Sequence, residues 1–92
     1  MLELKFTAKF KKDYKKAKKQ GKDLKKLEKI LEKLVCREEL PKSVCDHSLG
    51  GVYRGHRECH IEPDWLLLYQ IHEDQLILSA AATGTHADLF GA

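Results

Sequence analysis

Residues 65–71 read Trp65-Leu66-Leu67-Leu68-Tyr69-Gln70-Ile71. Only Gln70 interrupts the apolar run, and Glu73-Asp74 closes it with a turn signal. A short, continuous apolar run of this kind reads as a strand buried on both faces. Upstream, Glu58-Cys59-His60-Ile61-Glu62 reads as a second strand, joined to the first through Pro63-Asp64. Val52 to His56 is a further short strand candidate behind Gly50-Gly51. Downstream, Leu76-Ile77-Leu78-Ser79-Ala80-Ala81-Ala82 makes the last strand. The low strand propensity of alanine leaves the end of that strand open. Sequential strands with short turns imply an antiparallel meander.

Further out, the period changes. In the first residues, Leu2, Leu4 and Phe6 alternate with Glu3 and Lys5, as for a short strand. Thr7 is placed to cap a helix running to about Lys19, with Phe6, Phe10, Tyr14 and Ala17 along one stripe. Gly21 ends it. Asp23 caps a second helix over about Leu24 to Arg37, whose stripe is Leu24, Leu27, Ile30, Leu31, Leu34 and Val35. Pro41 closes the helical region, and residues 38–51 read as a connecting loop. His86 to Phe90 suits a terminal turn of helix. The expected fold is α+β: an N-terminal strand, then a two-helix hairpin packed on a C-terminal antiparallel sheet, in the order β-α-α-β-β-β. One domain over residues 1–92 accounts for the whole length.

Charge is divided unevenly. Residues 1–37 hold fourteen Lys and Arg against five Asp and Glu, whereas residues 38–92 hold three against nine. The basic half suits a polyanion or an acidic protein as partner, or equally a well-solvated pair of helices. No apolar stretch approaches the roughly 20 residues of a membrane span, and the lysine-rich start lacks the centre of a signal peptide, so a cytoplasmic protein with no membrane partner is expected. Cys36, Cys45 and Cys59 read as reduced thiols. Cys45, His47, Cys59 and His60 match neither CxxC nor HxxxH spacing, so no metal and no cofactor are expected.

The histidines carry the chemical interest. His60 and Asp64 flank Pro63 at a strand corner, His47 lies in the loop before the sheet, and His86 follows the last strand. In a meander, strand ends from distant parts of the chain can share one cleft. Cleavage of RNA through the ribose 2′-hydroxyl needs a base, an acid and positive charge on the phosphate. Histidine serves as acid or base near neutral pH, and a carboxylate can hold its tautomer. Arg54 and Arg57 can grip phosphate, while Tyr53, Trp65 and Phe90 offer faces on which unpaired bases stack. The plainer readings stand beside these: surface histidines, a turn aspartate after proline, a core tryptophan, and a phenylalanine that docks the C-terminus.

The ordered set Asp46-His47-Ser48-Leu49, then Arg57-Glu58-Cys59-His60-Ile61-Glu62-Pro63-Asp64-Trp65-Leu66-Leu67-Leu68-Tyr69, then Thr83-Gly84-Thr85-His86-Ala87-Asp88-Leu89-Phe90-Gly91 closely resembles YafQ-type toxins of the RelE superfamily. The resemblance covers nearly the whole chain. It implies a RelE-like fold and a toxin of a bacterial type II toxin–antitoxin system, an endoribonuclease that cuts mRNA in the ribosomal A site without a metal. It implies catalytic roles for His47, His60, Asp64 and His86, with His86 the preferred general acid and either His60 or Asp64 the base. It also implies RNA contacts through Trp65 and Phe90. The implied partners are the ribosome, mRNA and an antitoxin of ribbon-helix-helix type in a heterotetramer, with operator DNA reached only through the antitoxin. One departure matters: Ala82 stands where many relatives carry an arginine, the expected clamp on the scissile phosphate. Either Arg54 or Arg57 substitutes for it, or activity is attenuated, or the chain is a weak homologue that binds antitoxin and co-represses its operon.

Overall fold

The computed structural model describes residues 1–91, so Ala92, the last residue of the expected domain, lies outside the described residues. The chain runs β1 (Glu3–Phe6), α1 (Ala8–Lys19), α2 (Leu24–Val35), β2 (His47–Ser48), β3 (Arg57–Glu62), β4 (Trp65–His72), β5 (Ile77–Gly84) and α3 (His86–Phe90). The helix starts follow their caps. Thr7 Oγ1 accepts from the Phe10 amide at 3.0 Å, and Asp23 Oδ1 accepts from the Lys25 amide at 3.2 Å. Gly21, at φ +75°, makes the left-handed turn between the helices.

One sheet holds all five strands in the order β1-β5-β4-β3-β2. The meander β3-β4-β5 is antiparallel as expected, and β2 pairs antiparallel with β3. β1, in contrast, pairs parallel with β5, Glu3 opposite Ile77 and Phe6 opposite Ala80. The two helices cover one face of the sheet. There Leu27, Ile30, Leu31 and Leu34 meet Cys59, Trp65, Leu67, Tyr69, Leu78 and Ala80 in the main core. Each fully buried leucine here contributes roughly 1.5–3 kcal/mol. On the other face a smaller cluster forms from Leu66, Leu68, Ala82 and Leu89, with Leu49 and Tyr53 against it.

The alanine run stays extended to Gly84. Its small side chains let α1 lie close over β5, where the Thr7 hydroxyl donates to the Ala81 carbonyl and Asp13 accepts from the Thr83 amide. A register shift also occurs here: Leu68 faces Ala82 while Tyr69 faces Ala80, leaving Ala81 as the extra residue of a bulge. A bulge reverses side-chain alternation beyond it. Leu78 and Ala80 therefore point toward the helices, and Ala82 points to the opposite face.

One expected strand is corrected. Val52 to His56 is not extended: Gly51–Tyr53 form a 3-10 turn, and the strand of this region is the two-residue β2 at His47–Ser48. Gly51 and Gly55 take φ +62° and +89°, which break extended pairing, and Val52 is 95% exposed, so no packing rewards a strand there. Among the described residues no helix is long and apolar enough to cross a membrane.

Candidate active site

The face of the sheet away from the helices carries the chemistry. Pairing sets two rows across it. In the first, His47 stands opposite Glu58, Glu58 opposite Leu68, and Leu68 opposite Ala82. In the second, His60 stands opposite Leu66, and Leu66 opposite Gly84, which leads into Thr85 and His86. Two apolar leucines thus separate a polar pair of strands from the C-terminal end of β5.

Glu58 is the centre of the first group. It is only 5% exposed, and its Oε1 lies 3.0 Å from His60 Nε2 and 3.6 Å from His47 Nε2. With Glu58 ionised, His60 Nε2 carries a proton and donates, which leaves Nδ1 as the free nitrogen of that ring. Spacing alone does not single out Glu58, since nothing in a charged, alternating strand marks which glutamate will be buried. The available signal is its position two residues before His60, which puts both on one face of a strand.

His86 opens α3, and Asp64 sits in the turn between β3 and β4. Asp64 Oδ1 accepts from the His86 amide at 3.1 Å and from His86 Nδ1 at 2.7 Å. The His86 amide, followed by its ring, holds the Asp64 carboxyl below the usual carboxylate range. An ionised Asp64 requires a proton on His86 Nδ1 and turns Nε2 outward. α3 is fixed by a capping box, Thr85 Oγ1 with the Asp88 amide and Asp88 Oδ2 with the Thr85 amide, both at 3.1 Å. Lys16 bridges Asp88 to α1 at 3.1 Å. Gly84 sits close behind it: a Cβ there would meet the Asp88 Cβ at 3.1 Å and press on the capping carboxylate.

These two groups face each other. The rings of His60 and His86 lie 5.6 Å apart, centroid to centroid. Phe90 lies beside His86 at 6.3 Å and edge-on to Tyr53 at 5.4 Å, while the Tyr53 hydroxyl donates to the Leu89 carbonyl at 2.9 Å. His47 joins this group through Glu58 and Phe90 through His86, so His47, His60, Asp64, His86 and Phe90 form one chain of neighbours on the open face. Arg54 follows Tyr53, is exposed, and forms no ion pair among the described residues.

Two expected RNA contacts are corrected. Trp65 is fully buried in the main core under the helices, with Lys22 Nζ 5.5 Å above its ring, so it presents no face to a base. Arg57 shares a face with Tyr69 and Cys59, opposite the histidines, and its Nε donates to Asp46 at 2.8 Å. A phosphate at the histidines lies on the other side of the sheet from that guanidinium.

His47, Glu58 and His60 each offer a ligand atom within 4.8 Å of the others, a two-imidazole, one-carboxylate set able to hold a divalent transition metal with an open position. The cysteines stand outside it. Cys45 is exposed, and Cys59 is buried in the main core, where burial first and then the neighbouring carboxylates push its thiol up to about 12.

The model of the family described as "Bacterial toxin of type II toxin-antitoxin system, YafQ" matches residues 2–91. The mRNA interferase toxin YafQ of Escherichia coli strain B / BL21-DE3 is 38% identical over 90 residues, covering 97% of this chain and 96% of that protein. The K12 relative of the same name is 46% identical over 52 residues, 56% of this chain and 54% of its own length. Among solved structures, a metal-bound toxin from Helicobacter pylori is 40% identical with a TM-score of 0.93, covering 98% of this chain and 100% of that one. The toxin in the Escherichia coli DinJ-YafQ complex is 37% identical with a TM-score of 0.90, covering 99% and 100%.

Proposed function

We propose that this chain, which belongs to the YafQ family of bacterial type II toxins, is an endoribonuclease that cuts ribosome-bound mRNA without a metal. The observation that carries the reading is the facing of two carboxylate–imidazole pairs, Glu58–His60 and Asp64–His86, across 5.6 Å between rings. Such pairs supply the base and the acid that attack through the 2′-hydroxyl requires.

His60 takes the 2′-hydroxyl proton at Nδ1 while Glu58 holds Nε2. The 2′-oxygen then bonds to phosphorus, and the bond from phosphorus to the 5′-oxygen breaks. His86 gives its Nε2 proton to the leaving 5′-oxygen, and Asp64 steadies the imidazolium it starts from. The products are a 2′,3′-cyclic phosphate and a 5′-hydroxyl end. Asp64 is a poor base here, because both its His86 bonds favour the anion and lower its proton affinity. His47 and Arg54 counter the charge that grows on the phosphate, and Phe90 offers a stacking face.

The lysines of α1 and α2 supply a basic surface for ribosomal RNA. The partner is an antitoxin, which is supported by a relative of this chain crystallising in a DinJ-YafQ toxin-antitoxin complex; its ribbon-helix-helix type and the heterotetramer rest on the family resemblance alone. Operator DNA is met only through that antitoxin, and the site of action is the cytoplasm. Replacing His60 or His86 with Ala should slow cleavage of ribosome-bound mRNA by about 10²–10⁴ and abolish growth arrest on induction. If folded variants cut at the wild-type rate, the reading fails.

Ala82 favours a second reading, a weak toxin homologue that binds antitoxin and co-represses its operon. It is buried in the small cluster, in the row of Glu58, and supplies no charge for a phosphate. Full growth arrest on induction in cells without antitoxin would exclude this.

A further inference from the structure

β2 is only two residues long, and it is the element that carries His47. So short a ladder fixes its own register weakly, and a slip of one residue would turn His47 to the other face of the sheet. The segment before it enters through Cys45 in the left-handed region at φ +49°, and Gly50 and Gly51 follow it. Beyond the two-residue ladder, the Leu49 amide donates to the His56 carbonyl at 2.9 Å and His47 Nδ1 lies 3.2 Å from the Ser48 carbonyl, so only a few local contacts on the open side hold His47 against Glu58.

Behind the sheet lies a polar network that the proposed chemistry does not use. Asp46 accepts from Arg57 Nε at 2.8 Å through one carboxylate oxygen and from the Tyr69 hydroxyl through the other. Tyr69 is 1% exposed in the main core, and burial first, then the Asp46 carboxylate, push its phenol up, so the hydroxyl remains a donor. Its place relative to the histidines follows from alternation. Asp46 and His47 are consecutive and point to opposite faces, as do Arg57 and Glu58 in the paired strand. The Asp46–Arg57 ion pair on the covered face is thus the counterpart of the His47–Glu58 contact at 3.6 Å on the open face.

We propose that Asp46, Arg57 and Tyr69 form a positioning lock that holds β2 in register from behind and so sets His47 toward Glu58 on the open face. The three are positioning residues: no hydrogen bond joins them to His60 or His86 among the described residues. Tyr69 is the fixed post, since it is anchored in the main core. Arg57 ties β3 to the same carboxylate, so the two strands carrying His47 and Glu58 are pinned at one point. The link to catalysis rests on the proposed ribonuclease function, whereas the effect on the His47 ring does not.

The test uses the full chain and three variants, Tyr69→Phe, Asp46→Ala and Asp46→Asn. In nitrogen-15 spectra of the imidazoles, Asp46→Ala and Tyr69→Phe should shift or broaden the His47 ring signals and leave those of His86 in place. Asp46→Asn keeps an oxygen for the tyrosine hydroxyl and should restore part of the wild-type pattern. On ribosome-bound mRNA, Asp46→Ala should lower kcat about tenfold with KM within about twofold, a misplacement effect. In a His47→Ala background the same change should cost nothing further, because coupled residues are not additive. The lock is overturned if the His47 signals of folded Asp46→Ala match wild type, or if its full tenfold loss persists without His47. Should Asp46→Ala not fold, Tyr69→Phe, which removes one oxygen, carries the same two measurements. A wild-type protein that does not cleave mRNA would end the ribonuclease reading, while the His47 spectra would still decide the lock.

Discussion

The two faces of the sheet are built to different standards. The covered face packs Leu67, Tyr69, Leu78 and Ala80 against four buried residues of α2, with Phe10 and Ala17 of α1. The open face packs four residues, Leu66, Leu68, Ala82 and Leu89, and spends the rest of its area on Glu58, His60 and the His86 end of β5. Free energy of folding therefore concentrates on one side and reactive groups on the other. Burying the Glu58 carboxylate costs desolvation, which the packing of the helical face offsets.

The adjacent leucines of β4 give the sharpest way to break this division, because both are fully buried and face opposite sides. Leu67→Ala should cost about 3–4 kcal/mol of unfolding free energy, as for a cavity in a dense core, and leave the rate per folded molecule unchanged. Leu68→Ala should cost about 2–3 kcal/mol, because the thinner cluster can relax, yet slow cleavage, since Leu68 stands between Glu58 and Ala82. Denaturant titration with activity measured on the same samples checks both. Equal stability losses with equal rates would dissolve the distinction.

Ala82→Arg tests the same boundary from the other side. Ala82 is 2% exposed under Leu89, so a longer side chain must push the cluster apart, at about 1–3 kcal/mol. From the Glu58 row a guanidinium points over Leu68 toward the Glu58–His60 group, and cleavage should rise about tenfold or more if an arginine clamp is what this site lacks. Mapped mRNA ends and a melting curve read the two effects separately. An unchanged rate would mean that Arg54 and the histidines already supply the charge.

The smallest effect belongs to Asp64. His86 lowers its folded carboxyl below the unfolded value of about 3.9, so its contribution to stability is present above that pH. It is lost as the pH falls through the lower, folded titration. The group is exposed, so the loss is slight. Asp64→Asn should flatten this acid limb of the stability curve, read by urea midpoints between about pH 5 and 2. At neutral pH it should slow cleavage more than it destabilises, because His86 then lacks the anion that fixes its tautomer.

Much of the fold was legible because it is local. Thr7, Gly21 and Asp23 announce the helical hairpin, and the apolar run at Trp65–Ile71 announces a strand covered on both sides. The parallel pairing of β1 with β5 was not legible, since it joins residues more than seventy apart and leaves no local periodicity. For the site, His47, His60, Asp64 and His86 were named from the ordered motifs that resemble a family, and the fold sets them on one face, linked through Glu58 and the His60–His86 contact. Arg57, Trp65 and Glu58 were misjudged or missed for a shared reason: each depends on which face of a strand turns inward. Facing is set by register and bulges, which a sequence of mixed polar and apolar residues leaves undetermined.

Finally, β1 does for β5 what no side chain can. Without residues 3–6 alongside it, residues 77–80 of β5 would end the sheet with their outer N–H and C=O groups open. A bare strand of that kind is a template on which a second chain can add. With β1 in place the edge is instead a four-residue strand carrying Glu3 and Lys5, shorter and more charged than β5, and removing it should yield a protein that precipitates before it loses its chemistry.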